Sequence, residues 1–451
     1  MNIQQAKQEI INTLHTYFAK DEEGHYAVSL MRQRPLFLIG APGIGKTQIM
    51  RQIAEEEQVG LVAYTMTHHT RQSAIGLPLI ETHSYDGTSY SVTKYTMSEI
   101  IASVYEEMER SGRREGILFL DEINCVSETL APTMLQFLQA KTFGSHSLPE
   151  GWLIVAAGNP PEYNKSVREF DVVTLDRIRM LHVEPDFEVW KAYAKRQLLH
   201  PAILSYLSIK PQHFCRIETT VDGRFFATPR GWEDLSELLT AYERQHIPVS
   251  REVAAEYLQF PDIAKDFANY LELYYKYEDR YQVDDILAGH IDEAVAEKLQ
   301  RAAFDEKLSV IQLLLSRLAA DCKALEKQAQ KAEVLRSRYL QEKEQSESAG
   351  GSQITAEDLE TLRSQYNALA ERYEIDFAAA GAKLEHAFDF MEAAFGTGDE
   401  LVVFMTELNH SEYLIRFLKE YDCPRYAEYN ERLQFDARSS RLLEQARALG
   451  K

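Results

Sequence analysis

The sequence has few cysteines, fewer basic than acidic residues and no long apolar run. Its four cysteines, at positions 125, 215, 322 and 423, lie far apart and form no CxxC pair. A metal or disulfide framework is therefore not expected, and a reduced cytoplasmic environment is the default prediction. Because no apolar run approaches the ~18 residues of a membrane span, no membrane association is predicted.

The charge balance argues against partners that carry many phosphates. The 451 residues include 49 Lys and Arg against 70 Asp and Glu, a formal net charge of −21. Because phosphate repels such a surface, loose binding to nucleic acid or to anionic lipid is not expected. The opening stretch, MNIQQAKQEIINTLHTYF, predicts an amphipathic helix and lacks the apolar core and cleavage site of a signal peptide.

The first part of the chain alternates apolar runs with helical patterns. Such alternation predicts a five-stranded parallel sheet covered on both faces, hence an α/β fold. The predicted strands are 35–40, 61–66, 117–120, 152–158 and 180–185, and the predicted helices lie near 46–58, 97–111, 127–141 and 162–176. The period-two stretch 79–96, centred on Asp86-Gly87, predicts a β-hairpin between the second strand and the following helix.

The rest of the chain is predicted to be mainly helical. We expect an α/β core at 1–185, a helical lid at 186–295, a coiled-coil hairpin at 296–375 and a helical cap at 376–451. Apolar residues follow a 3-4 spacing typical of a coiled coil at 308, 311, 315, 318, 322, 325, 329 and 332, and again at 359, 362, 366, 369 and 373. The polar stretch 342–355 between them predicts an antiparallel turn. The alternative is two long surface helices lying on the body of the protein.

A phosphate-binding loop directly follows the first predicted strand. The stretch GAPGIGKT matches G-x-x-x-x-G-K-[ST], in which glycines let backbone N–H groups approach a phosphate and the next helix presents its positive N-terminus. Lys46 is expected to reach the β- and γ-phosphates, and the Thr47 hydroxyl to ligate Mg²⁺. The predicted nucleotide-binding residues are Gly40, Ala41, Pro42, Gly43, Ile44, Gly45, Lys46, Thr47 and Gln48.

Two later strands end in polar side chains at the same predicted edge of the sheet. The run ILFL places Asp121 and Glu122 at the carboxyl end of a buried strand, where open parallel sheets bind ligands. Asp121 is predicted to hold Mg²⁺, and Glu122 to orient and deprotonate the attacking water. Asn159, after WLIVAAG, could hydrogen-bond the γ-phosphate or the water. The alternatives are a solvated turn at Asp121-Glu122 and an ordinary Asn-Pro turn at Asn159.

Together, GAPGIGKT, LFLDE, AAGNP, TLDRI and ATPRG resemble an AAA+ ATPase. GNPPEYNKSVREFD followed by TLDRI looks like the MoxR branch of the dynein-related AAA group, over roughly residues 1 to 290. The segment HHTRQSAIGLP (68–78) is similar to a loop of MoxR proteins that work beside von Willebrand factor A-domain partners. The hairpin at 79–96 lies where that clade carries its helix-2 insert.

The resemblance implies roles for individual residues. It makes residues 40–47 the Walker A motif, Asp121 and Glu122 Walker B, and Asn159 sensor 1. Arg177 would be an arginine finger and Arg230, at the start of a lid helix, sensor 2. The implied assembly is a hexameric ring with ATP and Mg²⁺ between subunits. Two features depart from the MoxR pattern: Ile178 stands where Phe is common, and the chain beyond 300 exceeds the short MoxR form.

Some of these residues have simpler explanations. Arg177 could form a surface ion pair with Asp176, worth under ~1 kcal/mol, and Arg230 could be a charge at a helix start. Arg179 could be a second interface arginine. His68-His69 could suggest a metal, but lacks a third ligand at helical spacing, so loop packing or partner contact is the favoured reading.

The expected function is therefore a chaperone-like remodelling ATPase that acts on a protein client from a ring. The alternative is a nucleotide-gated scaffold that binds a partner through the helical hairpin and turns over slowly. A nucleic-acid motor is disfavoured by the charge of −21.

Overall fold

A computed structural model gives the structure of the chain and describes residues 1–433, except for 69–71, 73, 75, 164–165, 169, 222 and 349–355. The chain separates into two compact units. The first consists of Met1–Val189 with Thr228–Arg230, and the second of Trp190–Ala227 with the chain from Gly231 onward.

A parallel sheet forms the centre of the first unit. The described strands of the chain are β1 Leu36–Gly40, β2 Gly60–Thr65, β3 Pro78–Tyr85, β4 Thr88–Tyr95, β5 Gly116–Asp121, β6 Thr142–Phe143, β7 His146–Ser147, β8 Trp152–Gly158, β9 Arg179–Val183, β10 Arg216–Thr220 and β11 Gly223–Ala227. Five of them pair in parallel in the order β2-β5-β8-β1-β9. These are the five strands expected from the apolar runs, so the α/β class is confirmed.

The burial of these strands explains why their sequences are apolar throughout. β8 is buried at every residue, and β5 at every residue except Asp121 at its end. A parallel sheet covered by helices on both faces has no solvent-facing side, so alternate residues are apolar too. On one face, Leu118, Leu120 and Ile154 pack with Phe37 and Phe137 in a single core.

Helices of the first unit cover the sheet and follow their strands closely. They are Ile3–Phe18, Lys46–Glu56, Glu99–Ser111, Ala131–Ala140 and Val172–Leu175, and Phe187–Gln197 begins in this unit. The helix expected at 162–176 is thus confined to its last turn, apart from residues 164, 165 and 169, which lie outside the described part. Asp171 caps that turn by accepting a hydrogen bond from the Thr174 N–H, so the helix begins only there.

The hairpin predicted at 79–96 is present as β3 and β4, which pair antiparallel. Asp86 and Gly87 form its turn with φ values of 50° and 75°. Both positive values fit the type I′ turn that matches the twist of two antiparallel strands. The hairpin lies between β2 and the helix Glu99–Ser111, as expected.

The second unit is mainly helical. Beyond residue 190 its helices include Pro201–Ile209, Pro229–Arg244 from Gly231 onward, Arg251–Tyr257, Pro261–Tyr281, Val283–Leu287, Glu293–Gln300, Phe304–Ser348, Ala356–Phe395, Asp399–Asn409 and Glu412–Glu420. It also contains the antiparallel pair β10–β11, which the expectation of a helical lid at 186–295 did not include. Among the described helices of the whole chain, none combines the length and apolarity needed to cross a membrane.

The two longest helices, the first arm Phe304–Ser348 and the second arm Ala356–Phe395, pack against each other. Gln328 donates to Asp376 at 2.8 Å, and Lys383 donates to Asp321 at 2.6 Å. Moving forward along one arm therefore moves backward along the other, which makes the pair antiparallel. Residues 349–355 of the predicted turn lie outside the described part.

The two halves of the first arm differ in burial. All residues from Leu308 to Leu315 are buried, because this half packs against Pro201–Ile209 and Pro261–Tyr281 as well as the second arm. Further along, Val334 is 68 % exposed and Leu340 47 %. The first half is therefore part of a helical core rather than one strand of a two-stranded coiled coil.

The second arm continues through residue 375, where a domain boundary was expected. Beyond residue 375, Ala380, Leu384 and Phe388 are buried at intervals of four residues, on one face of the helix. The helical hairpin consequently extends to Phe395. The finer division at 185, 295 and 375 stays a prediction.

Candidate nucleotide-binding site

The phosphate loop connects the end of β1 to the helix Lys46–Glu56. Gly43 and Gly45 have φ values of 77° and 93°, in the left-handed region that glycine reaches without strain. Gly45 is the N-cap residue of the helix, so the positive end of the helix faces the loop. The predicted loop thus has the backbone form of an anion cradle.

Two glycines of the loop are also required by close neighbours. A Cβ at Gly40 would lie 2.3 Å from the carbonyl oxygen of Val183, at the end of β9. A Cβ at Gly43 would lie 3.1 Å from the Cβ of Arg230 and 3.3 Å from Thr228 Oγ1. The loop is therefore packed between β9 and the segment Thr228–Arg230, which belongs to the same unit.

Lys46 is buried beneath this loop, with 8 % of its surface exposed. Its Nζ donates to Gly40 O at 2.9 Å, Ala41 O at 2.8 Å and Asn159 Oδ1 at 3.0 Å. Burial lowers the pKa of Lys46 to about 8; the charge of Asp121 raises it and that of Arg230 lowers it. All three direct acceptors are neutral, so an anion bound here would stabilise the buried ammonium.

Thr47 and Asp121 bring two oxygen ligands together. Thr47 Oγ1 donates to Asp121 Oδ2 at 2.7 Å, joining the start of the helix to the end of β5. Hydroxyl and carboxylate oxygens are the ligands that Mg²⁺ prefers, usually with phosphate oxygens and water. The two side chains therefore fit the magnesium site expected from the sequence.

Glu122 follows Asp121 in a strained conformation. Its φ of 55° lies in the left-handed region, a conformation that costs a non-glycine residue roughly 1–3 kcal/mol. Residues strained in this way are typical of functional sites. Oε2 of Glu122 accepts a hydrogen bond from Thr67 Oγ1 at 2.9 Å, just after β2. Sequence reasoning missed Thr67, whose only signal is its place at the carboxyl end of the strand neighbouring β5.

Asn124 is a second residue that sequence reasoning missed. It is 3 % exposed, and its Nδ2 donates to the backbone oxygen of Asn159 at 2.8 Å. A Cβ at Gly158 would lie 2.3 Å from Asn124 Oδ1, so only glycine permits this approach. Asn124 thereby positions the residue whose side chain accepts from Lys46.

Residues 35–178 match a family model described as AAA domain (dynein-related subfamily). The first unit is therefore similar to an AAA domain over this segment. The match extends from the residue before β1 to the residue before β9, and so includes Lys46, Asp121, Glu122, Asn159 and Arg177. The match supports the prediction of an AAA+ ATPase with a nucleotide-binding site. No curated protein matches the chain.

Arg230 lies outside the matched segment but beside the phosphate loop. It occupies the first turn of the helix Pro229–Arg244, with its Cβ against Gly43. Burial is the main cause that lowers the pKa of Lys46, and the positive charge of Arg230 lowers it further. Both positive charges therefore lie near the loop where the sequence predicts phosphates.

Arg177 is not brought to the site of its own chain. It precedes β9, whose first residue Arg179 pairs with Leu36 at the start of β1, whereas Lys46 follows the end of β1. The five residues of β1, at ~3.3 Å each, separate the amino ends of the strands from their carboxyl ends by about 16 Å. The side chain is exposed and donates to Gln139 Oε1.

The simpler explanations for these arginines are tested by their contacts. Among the described residues no ion pair joins Arg177 to Asp176; the carboxylate it influences is Asp171, whose pKa is lowered mainly by hydrogen bonds with Thr174. Arg179 donates to Thr13 Oγ1 at 2.8 Å and pairs with Glu9, both on the first helix of its own chain. Arg179 is thus engaged within the first unit of its own chain. Much of the loop 68–78, including His69, lies outside the described residues.

Proposed function

We propose that this chain is a MoxR-like AAA+ ATPase that hydrolyses Mg-ATP in a ring, hexameric by analogy, to remodel a protein client. The observation that carries the proposal is the buried Lys46, whose ammonium reaches the loop carbonyls and Asn159 beside Asp121 and Glu122. Such a charge is favourable at this position when it faces phosphate.

The residues of the site divide the work of hydrolysis. Mg-ATP supplies the scissile phosphoanhydride and the metal that neutralises phosphate charge. Lys46, Arg230 and Asn159 would hold the phosphates, and Thr47 with Asp121 would hold the metal. Glu122 would orient the attacking water and accept its proton.

The contact with Thr67 bears on that last step. One carboxylate oxygen of Glu122 already accepts the Thr67 hydroxyl. The Thr67 hydroxyl thus occupies one of the acceptor positions of the carboxylate that would receive the proton. The end of β2 is thereby coupled to the reactivity of the base.

The position of Arg177 supports a ring. An exposed arginine on the edge of the sheet away from its own phosphate loop can serve a phosphate only in another subunit. Arginine suits that role because its planar charge grips phosphoryl oxygens bidentately and stays protonated.

The client and any von Willebrand factor A-domain partner are proposed from the MoxR resemblance. One surface suited to protein contact is the β3–β4 hairpin, where Leu79, Ile80, Tyr85 and Tyr90 are exposed. Of these, Tyr85 and Tyr90 are neighbours, with ring centroids 6.1 Å apart, and adjacent exposed apolar side chains are typical of interaction sites.

The exposed far half of the arms favours a second candidate. A nucleotide-gated scaffold would bind its partner there and use slow hydrolysis only to reset the assembly. Val334, Leu340 and Ile375 offer exposed apolar side chains on this half.

Molecular mass with and without nucleotide tests the assembly. Glu122→Gln, which should hold ATP without hydrolysing it, is expected to shift from a small species to about six chains on addition of Mg-ATP. Lys46→Ala is the control and should not shift. A Glu122→Gln protein that binds ATP but stays a monomer would contradict the ring. Rapid turnover favours the remodelling function, and a long-lived ATP-bound assembly with an intact partner favours the scaffold.

A further inference from the structure

The second unit contains a large cavity that the nucleotide site does not involve. Its volume is about 890 Å³, within the range of small-molecule pockets. It is lined by residues of several helices, among them Pro201–Ile209, Pro229–Arg244, Pro261–Tyr281, the buried half of the first arm, and Asp399–Asn409.

The carboxylates that line the cavity already have basic partners. Glu243 lies 2.7 Å from His200, and Glu278 lies 2.8 Å from Arg317. Glu407 accepts from Lys195 at 2.5 Å and from Lys191 at 2.8 Å. These acids therefore have little capacity left to neutralise further cations.

Three more cations line the same cavity without such a partner. Among the described residues no carboxylate pairs with Arg244, Lys323 or Lys327. Lys323 and Lys327 are one helical turn apart, about 6 Å, and like charges at that spacing repel. The carboxylate between them, Glu326, is engaged by Arg416. Lys323 lies over the ring of Tyr413, 5.4 Å from its centroid, so among the described residues none of the three cations is neutralised by a carboxylate, in a chain whose net charge is −21.

A buried hydroxyl also lines this cavity. Tyr274 is 1 % exposed, and its OH has no hydrogen-bond partner among the described residues. A buried polar group left without a partner costs about 1–3 kcal/mol. A ligand with acceptor oxygens would remove that cost as well as the repulsion between the lysines.

We propose that this cavity binds a small polyvalent anion, a compound carrying phosphate or carboxylate groups. Lys323, Lys327 and Arg244 supply the positive charge, and Tyr274 supplies a hydroxyl donor. Two of the cations stand on the first arm just before Gln328, which fixes the register of the arms through Asp376. Binding would consequently tie the base of the arms to the helical core. This site is independent of the proposed ATPase function.

Calorimetric titration tests the site with two probes, inorganic pyrophosphate and citrate. The full-length Lys46→Ala protein is used so that the phosphate loop does not contribute. Saturable one-to-one binding of at least one probe is expected, and the stronger of the two identifies phosphate or carboxylate as the preferred chemistry. Lys323→Gln with Lys327→Gln in the same background should weaken binding by about tenfold or more, because charge-assisted hydrogen bonds are lost.

A matched control removes two charges from the same helix outside the cavity. Lys331→Gln with Lys343→Gln should leave the affinity unchanged. Tyr274→Phe keeps the buried ring, so weaker binding in that variant, with an unchanged melting temperature, would support the role of the hydroxyl. The proposal is overturned if neither probe binds saturably, or if the control pair weakens binding as much as the cavity pair.

Discussion

The side-chain amide of Asn124 donates to the backbone carbonyl of Asn159 at 2.8 Å, and thereby connects the turn after β5 to the end of β8. Asn159 in turn accepts from Lys46 at 3.0 Å. Asn124, which is not expected to contact the nucleotide, thus positions Asn159, which is.

Replacing Asn124 should therefore impair the chemical step more than nucleotide binding. Asn124→Ala is expected to lower kcat for ATP by about tenfold, the effect of ~1.4 kcal/mol, with a small change in KM. Gly158→Ala should do the same, because its Cβ would meet Asn124 Oδ1 at 2.3 Å. Steady-state kinetics at several ATP concentrations separate the two parameters. Equal losses in affinity and turnover would show general damage to the fold instead.

Glu122→Gln keeps the size of the side chain but removes the base. ATP binding should persist, while hydrolysis falls by about 10²-fold or more, in line with the usual contribution of a general base. Binding by fluorescence titration and phosphate release measured on one preparation make the comparison. Near-normal turnover would assign the base to another residue.

Mixed assemblies test whether Arg177 acts on a neighbour. Lys46→Ala and Arg177→Ala subunits should each be inactive alone. Mixed rings contain some sites with an intact lysine and a neighbouring intact arginine, so ATPase activity should partly recover. No recovery at any ratio, with mixed rings demonstrated by mass, would argue against a role across the interface.

The affinity for ATP should depend on pH through Lys46. The pKa of this group in the free protein is about 8, below its ordinary 10.5, so the ammonium is present below that pH and is lost above it. Binding phosphate above pH 8 then requires uptake of a proton, and affinity should fall by up to about tenfold per pH unit. Lys46→Arg stays charged, so its affinity should show no such fall between about pH 7 and about pH 9.

The two halves of the first arm should respond differently to truncation. Leu314 is fully buried, so Leu314→Ala should lower the free energy of unfolding by about 2–5 kcal/mol. Leu340→Ala, at a position 47 % exposed, should cost less than about 1 kcal/mol. Chemical denaturation of both variants gives the comparison. Similar losses would mean that the far half is held as firmly as the core.

Sequence reasoning succeeded where the signal is local. The apolar runs of β5 and β8 have to be buried, and Asp86-Gly87 adopts the positive φ values of a tight hairpin. The phosphate loop is contiguous in sequence, so its residues could be identified together.

It failed where the determining contact is remote. Thr67 reaches Glu122 only because β2 and β5 are neighbours in the sheet, and Asn124 reaches Asn159 only because Gly158 lacks a side chain. Neither pairing leaves a pattern along the chain. In the first arm, Leu308, Ile311 and Leu315 follow the coiled-coil spacing, but Val310, Leu313 and Leu314 between them are buried as well, because this helix packs against Pro201–Ile209 in addition to the second arm.

The polarity of the parallel sheet has a consequence for symmetry. Lys46 lies at the carboxyl ends of the strands and Arg177 at their amino ends. A contact that brought the two residues together across subunits would therefore use two different surfaces of the protein. Such a head-to-tail contact leaves one surface of each kind unmatched in every open chain of subunits. With such a contact, the addition of subunits stops only when the assembly closes into a ring, because an open assembly can always bind a further subunit.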